Sequence, residues 1–424
     1  MNGGGAGKPR SRLRSLIQTQ VLALLLLCLL LYNGSTMFWL LAPPRDLRAA
    51  LEVSPVTAAA EAHSRKSTAL MSAVKEETPA VVSTTHQART VKRVVRRGSP
   101  QFKTLRLEAR PKRFAARVTR FFQARNGSDP LCEPRFFMTW ISSIDSFGAR
   151  ELFSMQSLFN SNPRACLVVI SSSMDSKQGV KILKPFVARG FRVIPVAPDF
   201  AFLFRNTQAE SWFDNLRRGQ VNPGDIALGQ NISNLLRLAL LYKFGGVYVD
   251  TDVIILRSFS GLRNVIGAQA MNSESRNWTR LNNAVMVFDK KHRLLYEFIK
   301  EFALTFDGNK WGHNGPYLVS RVVSRVAQDE NWRKADKSNF TVLPSQAFYP
   351  MDWSRVGSLF RGPGDEKDSK WVSDKLRQIY AESFAIHLWN RQSKKLRIED
   401  GSIIGRVAAD HCLFCKDSGA SPAL

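Results

Sequence analysis

Asp250-Thr251-Asp252 places two carboxylates one residue apart in an otherwise apolar stretch. Carboxylates this close repel one another and resist leaving water, so the pair is tolerable where a cation or dense hydrogen bonding neutralises it. The chemistry available is that of a hard divalent ion on oxygen ligands, able to bridge the protein and a phosphate-bearing substrate. The β-branched and aromatic residues of 247–256 predict one buried strand. Side chains alternate along a strand, so Asp250 and Asp252 project to one face and Thr251 to the other. A surface turn that contains Asp-Thr-Asp by chance is the competing reading. Gly245-Gly246 before the triplet and the apolar run around it favour the metal.

Residues 231–243 predict the helix that leads into this strand. Asn234 and Arg237 are three apart and share a face, while Leu235, Leu236, Leu238, Leu240 and Leu241 supply core contacts. Arg237 is either an ion-pair partner for the acids or a fork that grips a diphosphate or sugar hydroxyls. Further along, Asn282-Asn283-Ala284 offers amides and a small residue for close approach to a sugar, or simply starts a strand. His313-Asn314-Gly315-Pro316 opens a helix over 317–326, facing a ligand or merely capping, with Pro316 in the first turn. His387 follows the strand-like run Ser383-Phe384-Ala385-Ile386.

The elements that must position these groups alternate. Strands are expected at 136–141, 167–171 and 191–196, and helices at 149–159 and 177–189, which implies crossover units and a mostly parallel sheet. Such sheets bind ligands beyond the carboxyl ends of their strands. No Gly-x-Gly-x-x-Gly follows the first strand and no phosphate loop is present, which disfavours ordinary dinucleotide and triphosphate enzymes.

Upstream, Lys8, Arg10, Arg12 and Arg14 precede an apolar segment over 16–42. This has the length and flanks of a signal anchor with its amino terminus in the cytoplasm, although Asn33-Gly34-Ser35-Thr36 also suits a cleaved signal peptide. The resulting organisation is a tail over 1–15, an anchor over 16–42, a basic luminal stem over 43–130, a catalytic domain over 131–416 and a terminal tail over 417–424. A short basic amphipathic helix is possible at 113–122. The net charge of +26 invites a polyanion partner, but much of it precedes the core, in a lumen where nucleic acid is not expected. Asn126, Asn231, Asn277 and Asn339 head glycan-acceptor tripeptides. Leaving aside Cys28, four cysteines allow three pairings, and structural disulfides suit them better than a zinc or redox pair at Cys412 and Cys415.

The blocks Ser233-Asn234-Leu235-Leu236-Arg237, Gly245-Gly246-Val247-Tyr248-Val249-Asp250-Thr251-Asp252, Leu281 to Phe288, Trp311 to Tyr317 and Ile386 to Asn390 resemble, in order, those of DXD-motif glycosyltransferases. The resemblance is to the α-1,4-galactosyltransferase and α-1,4-N-acetylglucosaminyltransferase family, plant members in particular, and runs from about Arg135 to Cys415. It implies a GT-A fold, a UDP-sugar donor, Mn²⁺ or Mg²⁺, and retention of anomeric configuration. It further implies that Asp250 and Asp252 are catalytic and hold the metal with His387. Asn234, Arg237, Tyr248, Asp250, Asn283, His313 and Gly315 would line the donor site. Ser233-Asn234 departs from the Ser-Asp of animal members, which leaves the donor sugar open. The expected activity is transfer of galactose or N-acetylglucosamine to a glycan or glycolipid by a single-pass type II protein of the Golgi membrane. A GDP-mannose donor and a non-catalytic luminal glycan-binding protein are the alternatives.

Overall fold

The computed structural model describes residues 113–123, 132–334 and 339–414. The expected anchor, most of the stem and the tail 417–424 lie outside these residues. No helix among the described residues is long and apolar enough to cross a membrane.

The first described element falls in the stretch expected as stem, where a short amphipathic helix is also expected. Phe114, Val118 and Phe122 recur every fourth residue, forming one apolar stripe on helix α1 (Phe114–Phe122), and all three are buried in the core. Arginines on the other face give the segment its solvated look. Arg117 then clamps Asp175 with two hydrogen bonds of 2.8 and 3.1 Å.

The expected alternation forms as β1 (Arg135–Thr139), α2 (Ala149–Ser161), β2 (Cys166–Ile170), α3 (Lys177–Ala188) and β3 (Arg192–Val196), with the three strands parallel. After α4 (Phe200–Phe204), α5 (Gln208–Arg217) and the long helix α6 (Leu228–Phe244), the chain returns beside β1 as β4 (Gly246–Val249). Beyond it lie β5 (Val253–Ile255), β6 (Val265–Met271), β7 (Trp278–Phe288), α7 (Arg293–Thr305), α8 (Pro316–Gln328) and α9 (Glu330–Lys334). The described chain closes with β8 (Thr341–Leu343), α10 (Glu366–Glu382), β9 (Ala385–His387), α11 (Asn390–Ser393) and α12 (Ile403–His411).

Seven strands form one sheet in the order β3-β2-β1-β4-β7-β6-β8. It is mostly parallel as expected, the one reversed member being β7, which runs antiparallel to both β4 and β6. Residues 272–277 between β6 and β7 are too few for a crossover and make a hairpin instead. Strand parity sorts the core onto both faces: Phe137, Val168 and Tyr248 pack under α6, while Phe136, Met138, Val169 and Val249 pack under the opposite layer with α2. A disulfide joins Cys132 to Cys166, and Cys412 is also disulfide-bonded.

Between β1 and β4 the strand order reverses, opening a crevice at the carboxyl ends of both strands. The acidic triplet sits there, but not on a continuous strand. β4 ends at Val249, Asp250 to Asp252 form a turn, and β5 pairs with β9 in a separate two-stranded sheet. The Val253 amide bonds back to the Asp250 carbonyl at 3.3 Å. Apolar residues flank the turn because each half-strand is buried in its own sheet, which is what makes 247–256 read as one element.

Candidate active site

Helix α6 is apolar almost all round, with one polar stripe of Asn231, Asn234 and Arg237 at every third position, all buried. Each of the three is spoken for. Asn231 accepts from Asn314 Nδ2 at 2.9 Å, Asn234 accepts from Asn283 Nδ2 at 3.0 Å, and Arg237 reaches Asp250. Gly245 and Gly246 then turn the chain from α6 into β4 with φ of 69° and 113°. A Cβ on Gly245 would stand 2.6 Å from the Lys290 amide, and one on Gly246 2.6 Å from the Arg135 carbonyl, so only glycine fits the reversal.

Arg237 settles as the ion-pair partner of Asp250. Its Nη1 donates to Asp250 Oδ2 at 3.1 Å and to the Asn283 carbonyl at 2.9 Å, and its Nη2 lies 3.0 Å from Oδ1. Burial pulls the guanidinium down, but the charge of Asp250 more than restores it, so it stays firmly protonated.

The hydroxyls nearby complete a ring. Arg237 Nη2 donates to Ser233 Oγ at 3.2 Å, Ser233 and Thr139 hydroxyls meet at 2.8 Å, Thr139 and Tyr248 at 2.8 Å, and Tyr248 donates to Asp250 Oδ1 at 2.7 Å. A carboxylate only accepts and each hydroxyl has one proton, so the donors point one way round: Ser233 to Thr139, Thr139 to Tyr248, Tyr248 to Asp250. Tyr248 is completely buried, which with some opposition from Arg237 pushes its hydroxyl up and keeps it a neutral donor. It stands behind Asp250 as a support.

Asp252 is supported from the far end of the fold. His387 Nε2 lies 3.3 Å from Oδ1, and the Asn390 amide donates to Oδ2 at 2.9 Å. Burial pushes the Asp252 carboxyl up, but His387 and the Asn390 amide outweigh it and hold the group below the usual carboxylate range. Trp389 adopts left-handed backbone angles, φ 53° and ψ 59°, unusual for a bulky side chain. That bend delivers the Asn390 amide to Asp252 and sets the indole 4.3 Å from the His387 ring, with Nε1 donating to the Met351 carbonyl at 2.9 Å. Tyr349 closes the other side, its ring edge-on to His387 at 5.7 Å.

One ligand atom from each of Asp250, Asp252 and His387 lies within 4.8 Å of the others. Trans ligands of one small hard cation are separated by about 4.2 Å, so slight closure would bring the three onto a single ion. His387 turns Nε2 toward Asp252, while its Nδ1 is buried with no hydrogen-bond partner. The donor set therefore fits a divalent metal.

The other expected residues divide. Asn283 and Gly315 meet at Asn234, where a Cβ on Gly315 would come 2.8 Å from Oδ1. Asn283 lies in the middle of β7 rather than at a strand start. His313 turns aside, its Nε2 2.8 Å from the Thr305 carbonyl, where it holds the loop that precedes α8. Sequence reasoning missed Thr139 and Tyr349 as supports of the site. It also missed the crevice beside β1 and β2, lined by Trp140, Ser142, Ser171, Ser173 and Phe200. Their positions at the carboxyl ends of the first two strands were the available signal.

Residues 148–272 match the glycosyltransferase sugar-binding region containing the DXD motif, and residues 287–418 match the α-1,4-glycosyltransferase conserved region. An uncharacterised protein of Arabidopsis thaliana is 32% identical over 291 residues, 68% of this chain and 43% of that protein. Mouse lactosylceramide 4-α-galactosyltransferase is 28% identical over 269 residues, 61% of this chain and 68% of the relative. Human α-1,4-N-acetylglucosaminyltransferase is 26% identical, covering 50% of this chain and 58% of the relative. The chain thus spans less than half of the Arabidopsis protein that it matches.

Proposed function

The chain belongs to the glycosyltransferases that carry the DXD sugar-binding region and the α-1,4-glycosyltransferase conserved region, and from that premise we propose a retaining, metal-dependent hexosyltransferase. The donor is a UDP-sugar, UDP-galactose or UDP-N-acetylglucosamine, and the acceptor is a hydroxyl of a glycan or glycolipid. The two donor sugars are supported by the mouse galactosyltransferase and the human N-acetylglucosaminyltransferase to which the chain is similar. The observation that carries the reading is the convergence of Asp250, Asp252 and His387 at the strand-order reversal, the usual ligand position of an open α/β sheet. A GT-A arrangement is the fold reading that accords with it.

Asp250, Asp252 and His387 would hold Mn²⁺ or Mg²⁺, which supplies stabilisation of the charge that develops on a departing diphosphate. The protein's own groups do the rest. Arg237 and Tyr248 fix both oxygens of Asp250, and the Asn390 amide fixes one of Asp252, so the carboxylates meet the donor already aligned.

In the transfer, the bond between the anomeric carbon and the phosphate oxygen breaks and a bond to the acceptor oxygen forms on the same face. The acceptor proton passes to the departing phosphate. Both carboxylates are committed to their partners, which supports this front-face route over a double displacement through an enzyme nucleophile.

A type II Golgi location with a luminal catalytic domain is supported by the basic-then-apolar sequence over 8–42 and by the Cys132–Cys166 disulfide, which suits an oxidising compartment. The test is nucleotide release by the full-length chain in detergent, from UDP-galactose, UDP-N-acetylglucosamine and GDP-mannose, with and without Mn²⁺. Mn²⁺-dependent release from a UDP-sugar is expected. Release from GDP-mannose alone would replace the donor, and no release or binding of any of the three would leave a glycan-binding protein.

A further inference from the structure

The loop over 306–315, between α7 and α8, is anchored beneath and turns aromatic side chains outward. Buried Asn314 accepts the Asp307 amide at 3.2 Å and donates to the Asp307 carbonyl at 2.8 Å and to Asn231 Oδ1 of α6 at 2.9 Å. Gly315 packs on Asn234, which bonds Asn283, whose carbonyl accepts from the Arg237 that holds Asp250. By this route the loop is coupled, through Asn234, Asn283 and Arg237, to the first acid of the triplet.

A second route reaches the other acid. Trp311, 47% exposed, carries the Arg391 guanidinium over its ring at 4.0 Å. Arg391 directly follows Asn390, the residue whose amide holds Asp252. Trp311 is therefore linked, through Arg391 and its neighbour Asn390, to the Asp252 end of the turn. A few residues on, Tyr317 is 38% exposed, with Arg280 of β7 over its ring at 4.4 Å.

An indole left this open forgoes the burial that tryptophan usually obtains, and a nearly fixed one beside a reaction centre is a ready contact surface. Arg391 covers one face of the ring and leaves the other available. The C–H face of a pyranose packs against such an aromatic face, and the guanidinium beside it supplies planar donors for hydroxyl oxygens. Among the described residues no carboxylate forms a salt bridge with Arg391, so its donors can serve a neutral polyol.

We propose that Trp311 and Arg391 form the acceptor platform, seating the terminal pyranoside of the acceptor so that its hydroxyl reaches the Asp250–Asp252 turn. This rests on the transferase reading above and adds the chemical class of the acceptor end and the residues that select it. Arg391 orients the indole as well as the sugar. Tyr317 in the first turn of α8 and Arg280 on β7 are placed to meet the next ring.

The experiment uses the full-length chain in detergent with Mn²⁺ and the UDP-sugar that it turns over. Transfer is followed to four p-nitrophenyl pyranosides: β-galactoside, β-glucoside, β-N-acetylglucosaminide and α-mannoside. For the pyranoside used best, Trp311→Ala is expected to raise the acceptor KM about tenfold or more, Arg391→Ala to raise it several-fold, and Trp311→Phe to recover most of the loss. The donor KM should move far less than the acceptor KM, and Tm and UDP affinity by calorimetry report that the variants are folded. An unchanged acceptor KM in folded Trp311→Ala overturns the platform. So does a wild-type protein that hydrolyses its donor yet glycosylates none of the four pyranosides. Failure of the wild type to cleave any nucleotide sugar instead removes the transferase reading itself, and the two failures are told apart by donor hydrolysis.

Discussion

Tyr248 donates its phenolic proton to Asp250 Oδ1 at 2.7 Å from a fully buried position. The contact orders the first acid of the triplet from behind, through a ring of hydrogen bonds that includes Thr139, Ser233 and Arg237. An aromatic residue two places before an acid looks like part of a ligand surface when only the sequence is seen, whereas here its contribution is orientation.

Tyr248→Phe keeps the ring and deletes this proton, leaving Asp250 and Thr139 each short of a partner. The expected cost is about 1–3 kcal/mol of stability, from the unsatisfied buried groups, with kcat reduced about tenfold or more as Asp250 loses alignment. Thermal unfolding and steady-state turnover check the two parts. Unchanged kcat in a folded variant would show that the ring does not position Asp250.

Arg237 contributes charge and a planar fork together. Arg237→Met leaves Asp250 without its cation in a largely buried setting, and a loss of about 3–5 kcal/mol is expected. Arg237→Lys keeps the charge but cannot span Asp250, Ser233 and the Asn283 carbonyl at once, so its loss should be smaller, about 1–3 kcal/mol. Denaturant melts of both variants test the order; equal losses would mean that the fork geometry is immaterial.

The clamp of Arg117 on Asp175 makes the docking of α1 sensitive to acid. Burial pushes the Asp175 carboxyl up, but Arg117 and the Ala197 amide bring it below the ordinary value. A carboxyl depressed on folding stabilises the protein above its unfolded pKa, about 3.9, and that contribution disappears as pH falls through the lower folded value. Tm measured from pH 7 down to pH 3 should therefore fall more steeply for the wild type than for Asp175→Asn. Parallel curves would contradict the assignment. A fragment that begins at Asn126 lacks α1 altogether and should melt lower than one that retains it.

Of the four acceptor tripeptides, Asn231 is buried within α6 and bonded to Asn314, whereas Asn277 and Asn339 are exposed. Glycopeptide mass spectrometry of secreted protein should find carbohydrate at Asn277 or Asn339 and none at Asn231. A glycan on Asn231 of the folded protein would be incompatible with the packing of α6.

The alternation of apolar strands and amphipathic helices through β3 is readable because local periodicity reports burial directly, and the placement of Asn234 and Arg237 on one face of α6 follows from helical spacing alone. The turn at Asp250–Asp252 is not readable in the same way. Two half-strands buried in different sheets leave the same run of apolar residues as one continuous strand, so parity gave the right neighbours for the wrong reason. His387 beside Asp252 required knowing that β9 pairs with β5, a contact between residues far apart in the chain. The left-handed bend at Trp389 has no local signal either, since neither glycine nor asparagine marks it. His313 and Tyr248 were legible as members of a motif, but only packing shows that one holds a loop and the other supports a carboxylate.

The central claim is that Asp250, Asp252 and His387 together bind the cation through which a UDP-sugar is engaged. Calorimetric titration of UDP into the full-length protein, with and without Mn²⁺, tests it most directly when repeated on Asp252→Asn and His387→Ala. The account expects Mn²⁺-dependent UDP binding in the wild type and a loss of at least about tenfold in each folded variant. UDP binding that needs no metal, or that is as tight in Asp252→Asn as in the wild type, would contradict it.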